Sequence, residues 1–199
     1  VDSLGMYHHD LESYGMTSST GFFLSTLQNI LVDMMHRARI LAHSGTFIAL
    51  IAAGSWISIP LPPVPLTLQT LFILLSGIVM KRYAVIPVGL FVLLGAAGLP
   101  VFHNGTAGLG VLLGPTGGFL AGFIPAAVIV GLAYERQSKV SRVGGLLAGT
   151  FVIYLAGVSW LAWSASLTLF QAVLLGVAPF VVGEVVKVAA AYAIGERVA

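Results

Sequence analysis

The chain contains no cysteine, and this absence excludes disulfide bonds, thiolate metal ligands and cysteine nucleophiles. Charge is also scarce, because Asp, Glu, Lys and Arg make up 8% of the 199 residues, whereas soluble domains carry roughly 25%. Hydrophobic residues make up 58%, and the mean hydropathy is +1.00. The apolar runs are long and continuous, which is typical of membrane-spanning helices. The sequence therefore predicts an integral membrane protein of the all-α class.

Catalytic groups are missing from the apolar runs. A hydrolase needs a nucleophile beside a base, and a metalloenzyme needs clustered histidines or carboxylates. Neither arrangement occurs in these runs. We therefore predict that the protein is not an enzyme and that it holds neither a metal nor a cofactor.

Six apolar runs each predict one transmembrane helix. They cover approximately residues 40–59, 66–80, 83–99, 116–134 and 143–163, and the last begins near Pro179. The final stretch, 166–196, contains 31 residues, which is too long for one span of about 20. Because Gly176 and Pro179 interrupt it, we expect residues 167–177 to form a short helix at the outer surface.

The chain is predicted to have two parts, an N-terminal tail over residues 1–39 and a six-helix membrane domain over residues 40–199. Residues 21–35 place Phe23, Leu27 and Met34 at helical spacing. An amphipathic helix lying in the membrane interface is one interpretation of this segment. A disordered tail is the other.

The positive charges are segregated along the chain. Eight of the nine Lys and Arg residues lie at one set of predicted helix ends, namely Arg37, Arg39, Lys81, Arg82, Arg136, Lys139, Arg142 and Arg197. If every run crosses the membrane once, all eight fall on the same side. The positive-inside rule assigns that side to the cytoplasm, so both termini are predicted to be cytoplasmic.

The ninth cation, Lys187, lies inside the last apolar run, three residues after Glu184. A charge inside a bilayer costs about 3 kcal/mol on insertion scales, so it usually persists because it binds something. At this spacing the two side chains lie one turn apart on one face of a helix. The pair is the leading candidate for a ligand site, and a structural ion pair is the alternative.

Two outer connections have unusual compositions. Four prolines in residues 60–65 lead into Thr67 and Gln69, and a stiff linker or a polar edge to an outward cavity would each explain them. Six of the fifteen residues in 104–118 are glycine, which lets backbone approach a ligand closely. This segment lacks the glycine spacing of a Walker A phosphate-binding loop and contains no lysine, which makes a nucleotide site improbable. His103 is predicted to be an exposed loop residue.

Small residues recur at a spacing of four in the first run, at Gly45, Ala49 and Ala53. Such a ridge allows another helix to approach closely. The partner could be a helix of the same chain or a separate membrane subunit, and the spacing alone does not choose between them.

Four segments together resemble the biotin-specific substrate-binding component, or S component, of energy-coupling factor (ECF) transporters. They are PPVPLTLQT (62–70), GLPVF (98–102), GPTGGF (114–119) and PFVVGEVVK (179–187). The resemblance covers residues 42–197 and depends on the order and spacing of the segments.

The resemblance implies a six-helix S-component fold in the plasma membrane of a prokaryote, with an outward-facing biotin pocket. It implies that Glu184 and Lys187 are the ligand-contacting acid and base, although the family usually has Asp at the position of Glu184. Asn104, Gln69 and Thr67 are predicted to add polar groups to the pocket. The implied partners are a transmembrane coupling subunit, which docks on the ridge of Gly45, Ala49 and Ala53, and two ABC-type ATPases.

Two other functions remain open on the sequence. An S component for another vitamin, such as thiamin or riboflavin, would require more aromatic stacking or a carboxylate that faces a cation. A structural or assembly subunit would carry Glu184 and Lys187 as a packing feature only.

Overall fold

The computed structural model describes residues 18–136 and 138–198. The chain divides into two compact units, Val1–Ala42 and His43–Ala199. In the described part of the first unit, the chain is helical from Ser18 onward, and helix α1 (Ser18–Trp56) runs past the predicted tail boundary without a break. Residues 1–17 of the predicted tail lie outside the described residues. The division at residue 39 stays a prediction.

The second unit is almost entirely helical after α1. A short hairpin, β1 (Ser58–Ile59) and β2 (Leu66–Thr67), precedes the remaining helices. The α-helices are α2 (Gln69–Met80), α3 (Val85–Ala96), α4 (Leu109–Leu113), α5 (Gly117–Glu135), α6 (Lys139–Ser164), α7 (Leu169–Gly176) and α8 (Val181–Val198). Short 3-10 helices lie at Lys81–Ala84, His103–Gly105 and Ala178–Phe180.

Five stretches of the described residues are long and apolar enough to cross a membrane. They are Phe22–Trp56, Gln69–Ala96, Gly117–Glu135, Lys139–Ser164 and Leu169–Val198. The second stretch contains both α2 and α3, which Lys81 separates because its φ of 55° interrupts helical geometry. Counting these two helices separately gives the predicted six.

The proline-rich segment 60–65 is the loop of the hairpin. Ser58 pairs with Thr67 and Ile59 pairs with Leu66 in antiparallel register. Proline has no N–H to donate to a strand ladder, so pairing stops at the prolines. The hairpin fixes Thr67 two residues before Gln69, where α2 begins.

Close packing between α5 and α6 organises the bundle. A Cβ added at Gly118 would lie 2.2 Å from the Cβ of Trp160, so only glycine permits this approach. Helix α2 packs against both α5 and α8. These contacts bring the start of α2, the first half of α5, the second half of α6 and the first turns of α8 around one space.

The final stretch breaks where the sequence predicts. Helix α7 (Leu169–Gly176) lies within the predicted short helix 167–177, and α8 begins at Val181 after a 3-10 turn that contains Pro179. Thr168 caps α7, because its side chain accepts a hydrogen bond from the Gln171 N–H and its own N–H donates one to the Gln171 side-chain oxygen. The break places Glu184 in the first turn of α8.

Candidate functional site

One cavity lies at the meeting point of these elements. It encloses about 560 Å³ of empty space, including its open mouth. Five parts of the chain contribute to its lining: the segment from the hairpin into α2, the His103 loop, α5, α6, and the segment from α7 into α8. Its walls are mainly apolar, and they include Leu66, Phe119, Leu120, Phe123, Ile153 and Phe180.

Glu184 and Lys187 form a buried ion pair at the wall of this cavity. The Lys187 Nζ lies 2.6 Å from the Glu184 Oε2. Glu184 is 5% exposed and Lys187 is 6% exposed. Removing two charges from water costs several kcal/mol per ion unless the geometry and additional hydrogen bonds compensate, so the contacts around the pair decide how it is held.

Those contacts come from the start of α2. The Lys187 Nζ donates to the Thr67 carbonyl oxygen at 3.2 Å and to the Thr70 hydroxyl oxygen. The Thr70 hydroxyl in turn donates to the Glu184 Oε2 at 3.2 Å. From α6, the Tyr154 hydroxyl donates to the same oxygen at 3.4 Å. Helices α2, α6 and α8 therefore meet at one carboxylate oxygen.

Three buried polar atoms at the cavity have no hydrogen-bond partner among the described residues. They are the Glu184 Oε1, the Gln69 Nε2 and the His103 Nδ1, and all three side chains line the cavity. A buried polar group without a partner costs about 1–3 kcal/mol. A ligand that supplied a donor to the Glu184 Oε1 and an acceptor to the Gln69 Nε2 would recover that free energy for these two atoms.

Aromatic rings form part of the cavity wall. The rings of Phe119 and Tyr154 meet edge to face, with their centroids 6.3 Å apart. Trp160 donates from Nε1 to the Gly114 carbonyl oxygen at 2.9 Å, which holds the glycine-rich connection against α6. The cavity thus combines an apolar body with a few placed polar groups, as small-molecule sites do.

His103 lies at the cavity and is half-buried, so the prediction of an exposed loop residue is wrong. Its Nε2 lies 3.5 Å from the Thr116 hydroxyl oxygen. Burial lowers the pKa of His103, which keeps the imidazole neutral at pH 7. Within residues 18–136 and 138–198, no group of three His, Asp or Glu side chains could hold a metal ion.

Asn104 lies outside the cavity lining, although His103 beside it contributes to that lining. It is exposed, with a φ of 55°, and its Oδ1 accepts a hydrogen bond from the Ser58 hydroxyl. Ser55 also donates to the Val101 carbonyl oxygen at 2.6 Å. These contacts attach the connection before α4 to β1 and to the end of α1. The ligand role of Asn104 stays a prediction.

The structure brings four of the five predicted ligand residues together. Thr67, Gln69, Glu184 and Lys187 all line the cavity. Sequence reasoning missed Tyr154 and Phe119, because aromatic residues in an apolar run do not reveal which side of a helix they face. The Thr70 contact could have been anticipated, since Thr70 directly follows Gln69 in the polar segment at the start of α2.

The small-residue ridge on α1 is exposed. Gly45, Ala49 and Ala53 are all exposed, and a Cβ added at Gly45 would meet no described atom within 4 Å. The buried side of this part of α1 contains Ser44, Phe47 and Ile51 instead. The ridge therefore does not serve packing within the described part of the chain.

A helical membrane protein with a buried acid–base pair in an apolar cavity belongs to the class of membrane proteins that bind small molecules. The comparison with known proteins narrows this class. A model of the BioY family matches residues 25–199. The chain belongs to the BioY family.

Two curated relatives cover most of the chain. "Biotin transporter BioY" of Thermotoga maritima is 44% identical over 161 residues, which is 80% of this chain and 95% of the relative. "Biotin transporter BioY" of Rhodobacter capsulatus is 39% identical over 161 residues, which is 72% of this chain and 84% of the relative.

A solved structure has the same fold. It is the crystal structure at 2.1 Å of the S-component for biotin from an ECF-type ABC transporter. The TM-score is 0.74 at 26% sequence identity, and the match covers 81% of this chain and 91% of the other. The fold is thus the all-α S-component fold, as the sequence predicts.

Proposed function

We propose that this protein is a high-affinity biotin-binding membrane subunit that mediates biotin uptake through an outward-facing cavity. Its relatives are named biotin transporters, and the solved structure of the same fold is a biotin S component. Members of this family are transporter components and not enzymes. The protein accordingly binds and delivers its ligand without changing it chemically.

The buried pair of Glu184 and Lys187 in the apolar cavity is the observation that carries the proposal. Biotin has a compact apolar bicyclic ring, a ureido group with two N–H donors and a carbonyl acceptor, and a valerate tail that ends in a carboxylate. The apolar wall suits the ring, and the unpartnered Glu184 Oε1 and Gln69 Nε2 suit a polar ligand group. Thr67 contributes through its backbone carbonyl oxygen, which holds Lys187.

The charge at the cavity argues against a cationic vitamin. Thiamin would require a carboxylate whose charge is available to a cation. Here Lys187 already neutralises Glu184 at 2.6 Å, so a second cation would meet repulsion from the ammonium group. A neutral polar group is the better match.

We also propose that the subunit works with an ECF module made of a transmembrane coupling subunit and two ABC-type ATPases. The exposed ridge of Gly45, Ala49 and Ala53 supports this part of the proposal, since small residues permit close approach of a partner helix. The proposed location is the plasma membrane of a prokaryote. In this orientation the eight Lys and Arg residues at one set of helix ends face the cytoplasm.

Uptake of labelled biotin tests the proposal directly. We expect expression of this chain with a coupling module to restore uptake in a biotin-auxotrophic bacterium that lacks its own biotin transporter. Glu184→Ala should remove most of that uptake, whereas Lys139→Ala, a change at the start of α6 and away from the cavity lining, should not. Absence of uptake with the protein present in the membrane would contradict the proposal.

Membrane topology gives a second expected result. Because the chain has no native cysteine, a single introduced cysteine can be labelled without background. Lys139→Cys should react with an impermeant maleimide only after the cytoplasmic side is opened, and Leu113→Cys, at an exposed position of α4, should react from outside. Labelling of Lys139→Cys in sealed cells would contradict cytoplasmic termini.

A further inference from the structure

None of the buried residues of α8 has a large apolar side chain. The buried residues are two charged and two small ones, namely Glu184, Lys187, Ala191 and Gly195. The valine and isoleucine side chains of this helix are mostly exposed. Close packing of side chains is what usually holds one membrane helix against another. The position of α8 therefore depends strongly on polar contacts at its two ends.

An ion pair holds the end of α8 that lies far from the cavity. The Arg142 Nη1 donates to the Glu196 Oε1 at 2.7 Å. Arg142 lies in the first turn of α6, and Glu196 lies in the last turn of α8. The guanidinium carbon also lies 5.5 Å from the centroid of the Tyr134 ring on α5, which is within the range of a cation–π contact. These three side chains, the Arg142 cluster, tie α8 to α5 and α6.

The Arg142 cluster is partly buried and closely fitted. The side chains of Arg142 and Glu196 are 20% and 28% exposed, so water screens this ion pair less than it screens Arg82, whose side chain is 65% exposed. A Cβ added at Gly195 would lie 3.0 Å from the Tyr134 hydroxyl oxygen. Glycine at this position lets the end of α8 approach α5 closely. The end of α8 thus has little freedom to turn or slide while the ion pair is made.

A displacement of α8 would reach Glu184 at its other end. Glu184 lies twelve residues before Glu196 on the same helix, which is about 18 Å along the helix axis. The hydroxyls of Thr70 and Tyr154 donate to the Glu184 Oε2 at 3.2 and 3.4 Å, whereas O–H···O bonds are usually about 2.7–2.8 Å long. Contacts as long as these tolerate little further separation. A turn or slide of α8 would therefore weaken the hold on Glu184.

We infer that Arg142 and Glu196 are positioning residues that set how long a ligand stays bound. They act through α8, which carries Glu184 and Lys187, and neither of them lines the cavity. The inference rests on the proposed function, because it takes biotin as the ligand. Loss of the ion pair should speed biotin release. It should leave biotin association nearly unchanged, because the cavity lining keeps all its residues.

Release of labelled biotin from purified protein, chased with an excess of unlabelled biotin, tests this role. Arg142→Glu and Glu196→Arg should each raise the release rate at least about fivefold, an effect typical of contacts within one network. The association rate should stay within about twofold of the wild-type rate. The double variant restores opposite charges, and it should release biotin at least about threefold more slowly than either single variant. Binding of one biotin per chain establishes that a variant is folded.

Arg82→Glu is the matched control. Arg82 donates from its Nε to the Glu135 Oε1 at 2.7 Å, and this ion pair lies at the same predicted set of helix ends but does not involve α8. Its biotin release should stay within about twofold of the wild-type rate. Equal acceleration by Arg82→Glu, unchanged release from the folded single variants, or no rescue in the double variant would each overturn the inference.

A second measurement of the same variants needs no ligand. The chain has no native cysteine, so nitroxide labels can be placed at Val182→Cys on α8 and Phe151→Cys on α6, both at exposed positions. Pulsed electron paramagnetic resonance should show a broader or displaced distance distribution in Arg142→Glu than in the wild type and Arg82→Glu. An identical distribution in all three proteins would overturn the inference. Failure of the wild type to bind biotin would count against the proposed function, and the label distances would still test whether the Arg142 cluster positions α8.

Discussion

We expect Lys187→Ala to weaken biotin binding by more than about tenfold, which is a loss of ~1.4 kcal/mol in binding free energy. The substitution removes the counter-ion of Glu184, which is 5% exposed, and an uncompensated buried charge is strongly unfavourable. It also removes hydrogen bonds to Thr67 and Thr70 that tie α8 to the start of α2. A hydrogen bond to a charged group contributes about 1.5–3 kcal/mol. Calorimetric titration of the purified variant with biotin measures the loss.

Lys139→Ala is the matched control, because it removes another lysine at an exposed position of α6. It should bind biotin like the wild type. Monodisperse elution in detergent would establish that Lys187→Ala is folded. Wild-type affinity in a folded Lys187→Ala protein would return the ion pair to a structural role.

The partner carboxylate extends this prediction. Glu184→Asp should be tolerated better than Glu184→Ala. Asp keeps the negative charge that neutralises Lys187. Its shorter side chain changes only how far the carboxylate extends toward Lys187 and the ligand. Equal losses in the two variants would mean that the charge of residue 184 does not matter to binding.

We expect Ala49→Trp to reduce energised biotin uptake strongly. Its biotin affinity in detergent should stay close to that of the wild type. Ala49 is exposed on α1, between Gly45 and Ala53 on the same helix face. An indole at this position would hold a partner helix away from the ridge. The cavity lining contains no residue of α1, so the site should be undisturbed. Biotin uptake is measured in cells that contain the coupling subunit, and biotin binding is measured in detergent. Together these assays separate an effect on docking from an effect on the ligand site.

Ala148→Trp makes the same change at an exposed position of α6 outside the ridge. It should leave uptake unchanged. Full uptake by Ala49→Trp would show that the ridge does not dock a partner, and would favour a transporter that works without the coupling module. Loss of biotin binding by folded Ala49→Trp would place the ridge near the ligand site.

The helices were largely predictable because apolar runs and their interruptions carry most of the information in a membrane protein. The predicted span 116–134 differs by one residue at each end from α5 (Gly117–Glu135). The break at Gly176 and Pro179 correctly separated α7 from α8. By contrast, a helix over residues 21–35 was only one of two interpretations, and its continuity with the first predicted span in α1 (Ser18–Trp56) was not predicted.

The site was predictable only in part. Glu184 and Lys187 stood out because charge is rare in an apolar run, and their spacing placed them on one helix face. The contacts of Thr70 and Tyr154 with Glu184 depend on how α2 and α6 pack against α8. His103 was misjudged because a glycine-rich connection gives no periodicity from which burial can be read.

Calorimetric titration of the purified wild-type protein with biotin, thiamin and riboflavin tests the central claim most directly. The cavity offers an apolar wall, an unpartnered acceptor and an unpartnered donor, while its carboxylate is already neutralised. We expect biotin to bind most tightly of the three, with one site per chain. Tighter binding of thiamin or riboflavin, or no binding of biotin by folded protein, would contradict the account.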